Sequence, residues 1–236
     1  MASLSPSEKK RSSKSSDRVS KKACPNIMYL GFTSPEHLTD LWEESHRNEP
    51  GETRAAELWR TLHSGEVTKV GETIEALARE LWDLHEKGSR IATYAVAQGK
   101  LSGTFLPADP EEGERLLHTL CDEGFPAAFA QLLKDVTVEN PEQRTPCSAE
   151  ILELIARGTE LGLDRALVLQ SQAWLKGWVV LEPAEARELA IRLLNAARNG
   201  CWEALHTLLQ LYANVPPDVM TEEFLKSALA AGCSQG

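Results

Sequence analysis

A glycine followed four residues later by an alanine recurs along this sequence at intervals of 36 to 38 residues. The five pairs, in chain order, are Gly51/Ala55, Gly88/Ala92, Gly124/Ala128, Gly162/Ala166 and Gly200/Ala204. Self-similarity at such a period is the signature of a repeat architecture, in which each unit packs mainly on its neighbours. The chain is therefore expected to fold as a stack of similar units.

Each unit is predicted to contain two α-helices, because apolar residues lie at helical spacing and no stretch shows the sustained alternation of a strand. The expected helices, pair by pair, lie near 52–63 and 71–87, 89–101 and 110–122, 126–135 and 149–161, 163–176 and 183–199, and 201–213 and 218–231. The glycine is expected to end the second helix in a left-handed conformation. The small alanine then lets neighbouring helices approach closely. The prediction is an all-α solenoid, with a compact helical bundle as the alternative.

Three regions are predicted from composition. Residues 1–23 form a basic tail rich in Ser and Lys, which buries too little apolar surface to order and is expected to be disordered. Residues 24–50 form an apolar lead-in followed by a capping helix, with Ser34 at its N-cap and Pro35 at its first position. Residues 51–236 form the solenoid.

The formal net charge of the chain is −10. Because the tail holds seven basic and two acidic residues, the remainder is more acidic than this value suggests. An acidic body disfavours nucleic acid as the main ligand, since phosphate binding needs clustered Lys and Arg. It favours a basic partner segment through charge steering. The tail is the one candidate contact for nucleic acid or an anionic surface, and the alternative is a solvated tail.

The five cysteines include no Cys-x-x-Cys pair, which is typical of reduced thiols in a cytosolic protein. The sequence shows no secretory signal and no apolar run of the length needed to span a bilayer. A cytoplasmic protein without a transmembrane segment is therefore predicted.

The most complete repeat motif runs from Ala196 to Ala204 and reads Ala-Ala-Arg-Asn-Gly-Cys-Trp-Glu-Ala. Further motif residues are Tyr212, Gly103 with Asp109, and Trp174 with Gly177. This pattern resembles the Sel-one-like repeat family, a subclass of tetratricopeptide-like solenoids. The resemblance covers about residues 51–232, although the paired alanines are absent from most units and unit three carries a proline-rich connection. It implies a right-handed α/α superhelix of about five helix-turn-helix repeats.

The resemblance implies binding without catalysis. Members of this family are typically adaptors that hold a peptide or a partner protein on a concave surface lined by the first helix of each unit. The family offsets place these residues on that surface: Arg54, Glu57, Thr61, Tyr94, Gln98, Lys134, Arg165, Gln172, Glu203, His206 and Gln210. Trp178 follows Gly177 in a predicted turn and is a candidate exposed anchor for a partner.

The alternative is a regulatory subunit or a hydrolase-like enzyme with a site between repeats. Its strongest candidate pair is His118 and Cys121, three residues apart on one predicted helix, which is a weak metal-binding signal. The sequence contains no zinc-protease motif, nucleophile elbow or phosphate-binding loop. No metal or cofactor is therefore predicted.

Overall fold

A computed structural model of the chain describes residues 34–49, 51–64, 73–136 and 148–214. Within these ranges it contains ten α-helices and no strand. The helices are α1 (Pro35–Ser45), α2 (Glu52–Ser64), α3 (Ile74–Glu86), α4 (Arg90–Ser102), α5 (Pro110–Asp122), α6 (Pro126–Leu133), α7 (Ala149–Glu160), α8 (Asp164–Leu175), α9 (Pro183–Arg198) and α10 (Trp202–Asn214). The basic tail, the lead-in at 24–33 and the helix expected at 218–231 lie outside the described residues.

The helices stack in pairs along the chain. In the four units whose two helices are both described, the first helix packs on the second, and α2 contacts α4, α6 contacts α8 and α8 contacts α10. The predicted α-solenoid is therefore confirmed, and each predicted helix in the described ranges is present. We call the side formed by α2, α4, α6, α8 and α10 the first-helix face.

The repeated glycines turn the chain between units in the way the sequence predicts. All five have positive φ angles, between 78° and 98°. At Gly124 the glycine N–H donates to Cys121 O at 3.0 Å, and the next N–H, of Phe125, donates to Leu120 O at 2.9 Å. This pair of bonds is the Schellman motif, which satisfies carbonyl groups at the helix end.

The repeated alanines lie where helices meet, and all five are fully buried. The clearest case is Ala166, which opposes Gly158 of α7. A Cβ placed on Gly158 would lie 2.9 Å from Ala166 Cβ, closer than side-chain carbons approach. Both positions therefore have to be small because the two helices touch there.

Substituting Gly124 tests the cost of its backbone conformation alone. In the described part of the chain, no heavy atom lies within 4 Å of a Cβ placed on Gly124, and its φ is 78°. Gly124→Ala is expected to lower the free energy of unfolding by about 1–2 kcal/mol, and Gly124→Asn by less, because Asn tolerates this conformation better. Urea unfolding followed by circular dichroism measures both changes. Equal losses for Ala and Asn would contradict backbone strain as the cause.

Glu52 links the first unit to the second. It is 1% exposed, and its carboxylate accepts hydrogen bonds from Ser89 Oγ (3.0 Å), Arg90 N (2.9 Å) and Ile91 N (3.0 Å). These backbone groups belong to the first turn of α4, whose N–H groups have no partners within the helix. A carboxylate at the start of α2 thus caps the first helix of the next unit.

Two arginines make a corresponding link between second helices. Arg157 of α7 donates to Cys121 O at the end of α5 and to Asp122 Oδ1 at 2.9 Å. Arg192 of α9 donates to Thr159 O near the end of α7. Each guanidinium therefore satisfies a carbonyl of the preceding unit, and the interaction recurs from one unit to the next.

Candidate partner-binding groove

The N-terminal helix α1 lies across the first-helix face. It packs against α2, the first helix of the nearest unit, and against α6, which belongs to a unit much later in the chain. Leu38 and Thr39 of α1 are buried in these contacts. The sequence predicted a capping helix at this position, and α1 does contact α2, but its contact with α6 places it over the groove.

A chain of aromatic rings fills the space beneath α1. The ring centroids of Trp42 and Phe125 are 5.1 Å apart, those of Phe125 and Tyr94 5.6 Å, and those of Tyr94 and Trp59 5.9 Å. Trp42 belongs to α1, Trp59 to α2 and Tyr94 to α4, and Phe125 immediately precedes α6. The rings therefore bind α1 to three successive units.

Tyr94 is consequently a core residue, although the sequence analysis placed it on the solvent-facing groove. Its side chain is 1% exposed, and its hydroxyl accepts a hydrogen bond from Gln98 Nε2 at 3.0 Å. Burial raises the pKa of Tyr94 well above its usual value. The sequence offsets missed this burial because they take no account of a helix that folds back over the groove.

The three candidates on α2, which are Arg54, Glu57 and Thr61, lie at or near the surface. Arg54 holds both carboxylate oxygens of Glu80, at 2.8 and 3.0 Å, and also reaches Glu57 at 3.2 Å. Hydrogen bonding to Glu80 and then to Glu57 raises the pKa of Arg54 further above its usual value. Thr61 is half-buried, and its hydroxyl donates to Glu57 O at 2.9 Å. The charged groups of this set are engaged with one another.

A cleft of about 250 Å³ lies where α1, α6 and α8 meet. Its walls are mainly apolar, and Lys134, Asp164 and Arg165 supply the charged groups. The remaining lining residues are Ser34, Pro35, Leu38, Ala130, Leu133 and Leu163. The cleft thus contains two of the residues that the sequence analysis selected, Lys134 and Arg165.

Arg165 also supports the wall of this cleft. Its Nε donates to Leu133 O at 3.3 Å, and its Nη2 donates to Val136 O at 2.5 Å, at the end of α6. Lys134 is exposed, with its Nζ 4.0 Å from a carboxylate oxygen of Asp135. Of the two basic residues, Arg165 has a positioning role, and Lys134 faces solvent.

The last three candidates lie on α10. His206 is exposed, and its Nε2 lies 3.0 Å from Nε2 of Gln210, one turn further along. Glu203 is half-buried on the preceding turn. Gln172 of α8, by contrast, is buried, so its side chain is not presented to solvent. The first-helix face beyond α1 therefore carries a polar strip on α10.

Trp178 is half-buried and packs against the core, so it is not the exposed anchor that the sequence suggested. Trp178 directly follows Gly177, and its backbone N–H donates a hydrogen bond to Ala173 O at 2.9 Å. In a helix-ending turn of this kind, the residue after the glycine commonly makes an apolar contact with the helix. Trp202 is 57% exposed instead. Trp202 begins α10, and the spacing of apolar residues along this helix did not predict that its side chain would be exposed.

His118 and Cys121 do not form a site together. His118 is exposed, whereas Cys121 is 1% exposed in the core. Burial raises the pKa of the Cys121 thiol to about 12 and that of Cys201 to about 11. In the described ranges, no three His, Cys, Asp or Glu side chains group in a way that would hold a metal ion. None of the helices described is long and apolar enough to cross a membrane.

The fold is similar to that of a Sel1 repeat protein from Oxalobacter formigenes known from a crystal structure. The match has a TM-score of 0.55 and 18% sequence identity, and it covers 86% of this chain and 80% of that chain. The likeness establishes the fold as that of a Sel1-like helical repeat. No family model matches the chain, and no curated protein matches it significantly.

Proposed function

On a fold of the Sel1-repeat type, we propose that this chain is a non-enzymatic interaction scaffold that binds a segment of a partner protein. The binding surface is the first-helix face, which is the concave side of such a solenoid. The observation that supports this function is the cleft between α1, α6 and α8. Its apolar walls and charged edge have the composition of pockets that accept an anchor side chain at a protein interface.

The partner segment supplies one apolar side chain to the cleft and polar groups on either side of it. Lys134 lies at the cleft, and His206, Gln210 and Glu203 extend the same face on α10. The net charge of −10 favours basic residues elsewhere in the partner, through steering of the encounter, whereas Lys134 favours a carboxylate or carbonyl group of the partner at the cleft edge. Tyr94 and Gln172 take no part, because both are buried.

We also propose that the protein is cytoplasmic. Its support is the use of cysteine, because the chain has no Cys-x-x-Cys pair and the two described cysteines, Cys121 and Cys201, are unpaired and buried. Buried thiols with raised pKa values form little thiolate and are chemically inert.

Two substitutions in the cleft test the site. Ala130→Phe fills the cleft, and Lys134→Glu reverses the charge at its edge. The wild-type chain and both variants are used as baits in affinity purification from native cells, and the recovered partner is then titrated against each purified chain. Each variant is expected to weaken binding about tenfold or more, which corresponds to about 1.4 kcal/mol. Circular dichroism checks that the variants remain helical.

Lys87→Glu is the matched control, because Lys87 is an exposed lysine at the end of a second helix, α3. It makes the same charge change away from the first-helix face and is expected to bind the partner as the wild type does. Retention of full affinity in both cleft variants, or an equal loss in the control, would remove the cleft from the binding site.

A further inference from the structure

Helix α1 covers part of the first-helix face by packing on α2 and α6. Here the α1 seat means Arg60, Arg90 and Phe125 together with the surfaces of α2 and α6 around them. Helix α1 has only 11 residues, so it is too short to be stable alone and owes its structure to this contact. Its apolar contribution rests mainly on Leu38 and Trp42. A short helix held by few apolar side chains behaves as a bound ligand.

Two arginines of the α1 seat form ion pairs with carboxylates of residues 34–49, and Arg90 also pairs with Glu123. Arg60 of α2 bonds to Asp40 Oδ1 at 2.8 Å and to Glu43, and both of these carboxylates belong to α1. Arg90 bonds to Glu49 at 3.0 Å, and its guanidinium lies 5.6 Å from the centre of the Trp42 ring. Residues 34–49 contain five carboxylates and one arginine. The occupant is thus an acidic amphipathic helix with a central aromatic anchor.

Helix α1 fills this seat imperfectly. The indole N–H of Trp42 is buried, and it finds no acceptor among the described residues. The side chains of Asp40 and Arg60 are about half-exposed, so their ion pair is screened by solvent. Leu41 of α1 remains 46% exposed. A similar helix would bind the α1 seat more tightly if it gave the indole N–H a hydrogen-bond acceptor, or if it carried phenylalanine in place of the tryptophan.

We infer that α1 is an internal ligand, and that the α1 seat accepts in its place an acidic amphipathic helix of a partner protein. This rests on the proposed function only in that both use the first-helix face, and the two modes of binding exclude each other because Pro35 and Leu38 of α1 line the cleft. The sign of the partner's charge is opposite to the one expected from the net charge of the chain. Net charge acts on the encounter at long range, whereas Arg60 and Arg90 act on the bound helix at contact distance.

The test adds a fluorescently labelled peptide of residues 34–49 to full-length chains and measures binding by anisotropy. The chains are the wild type, Trp42→Ala, and Asp40→Lys with Glu43→Lys. The last two loosen α1 by different means, the first by removing its aromatic anchor and the second by repelling Arg60. Circular dichroism and thermal melting confirm that each chain is folded. If Trp42→Ala does not fold, the chain with Asp40→Lys and Glu43→Lys provides the test alone.

Both loosened chains are expected to bind the peptide about tenfold or more tightly than the wild type, because the apparent affinity is the intrinsic affinity multiplied by the fraction of chains whose seat is vacant. Adding Arg60→Glu to either loosened chain is expected to abolish that gain. A peptide carrying Asp40→Lys and Glu43→Lys is expected to fail on the Trp42→Ala chain and to recover binding when that chain also carries Arg60→Glu.

Folded loosened chains that bind the peptide no better than the wild type would overturn the inference, as would binding that Arg60→Glu leaves unchanged. Sedimentation of the wild type is the second measurement. A dimer that the peptide dissociates would assign the seat to α1 of a second copy and overturn the partner assignment. Since this assay uses no cellular partner, its failure would leave the cleft test unaffected, and the reverse also holds.

Discussion

Replacing Glu52 with alanine is expected to lower the free energy of unfolding by about 3 kcal/mol, because it leaves two buried donors and one half-buried donor without their acceptor. These donors are Ser89 Oγ, Arg90 N and Ile91 N, all within 3.0 Å of the carboxylate. Because the stability of a solenoid depends on the interfaces between neighbouring units, the loss is expected to uncouple the first unit from the second.

Urea unfolding followed by circular dichroism measures this loss, and hydrogen exchange of the α4 amides locates it. Glu57→Ala is the matched control, since Glu57 lies on the same helix with its side chain 55% exposed, and it is expected to change stability by less than about 0.5 kcal/mol. Glu52→Gln keeps one carbonyl acceptor and is expected to recover only part of the loss. Equal effects at Glu52 and Glu57 would show that the hydrogen bonds to α4 contribute little.

Replacing Phe125 with alanine is expected to lower the free energy of unfolding by about 3–5 kcal/mol, because it removes a fully buried ring and leaves a cavity. The ring lies between Trp42 and Tyr94, with centroids 5.1 and 5.6 Å away. Because the ring supports Trp42, α1 is also expected to detach more readily. Trypsin should then cleave faster after Arg47, which follows α1 and has a side chain 69% exposed.

Trp202→Ala is the control for aromatic removal, since Trp202 is 57% exposed and is expected to cost less than about 1 kcal/mol. Phe125→Leu keeps most of the volume and separates the loss of the ring from the loss of packing. If Phe125→Ala destabilised the chain strongly but left cleavage after Arg47 unchanged, α1 would be held independently of the aromatic rings.

The sequence by itself determined the features that depend on short-range geometry. The repeated glycines predict where one helix pair ends and the next begins. Each adopts a positive φ that other residues avoid, and such a residue ends a helix. The start of α1 is equally local, since the Ser34 hydroxyl accepts from His37 N at 3.2 Å and Pro35 follows it. Such signals act within four or five residues and can be read without knowing which helices meet.

Only the tertiary structure decided what occupies the first-helix face. The offsets that place Arg54 and His206 at the surface also placed Tyr94 there, yet α1 and the aromatic rings bury it. The carboxylate of Glu52 looks in the sequence like any other at a helix start, because the donors it meets lie 37 to 39 residues away. Hydrogen bonds and ring contacts of this range depend on how units stack, so a periodic pattern predicts the units but not the partners of their side chains.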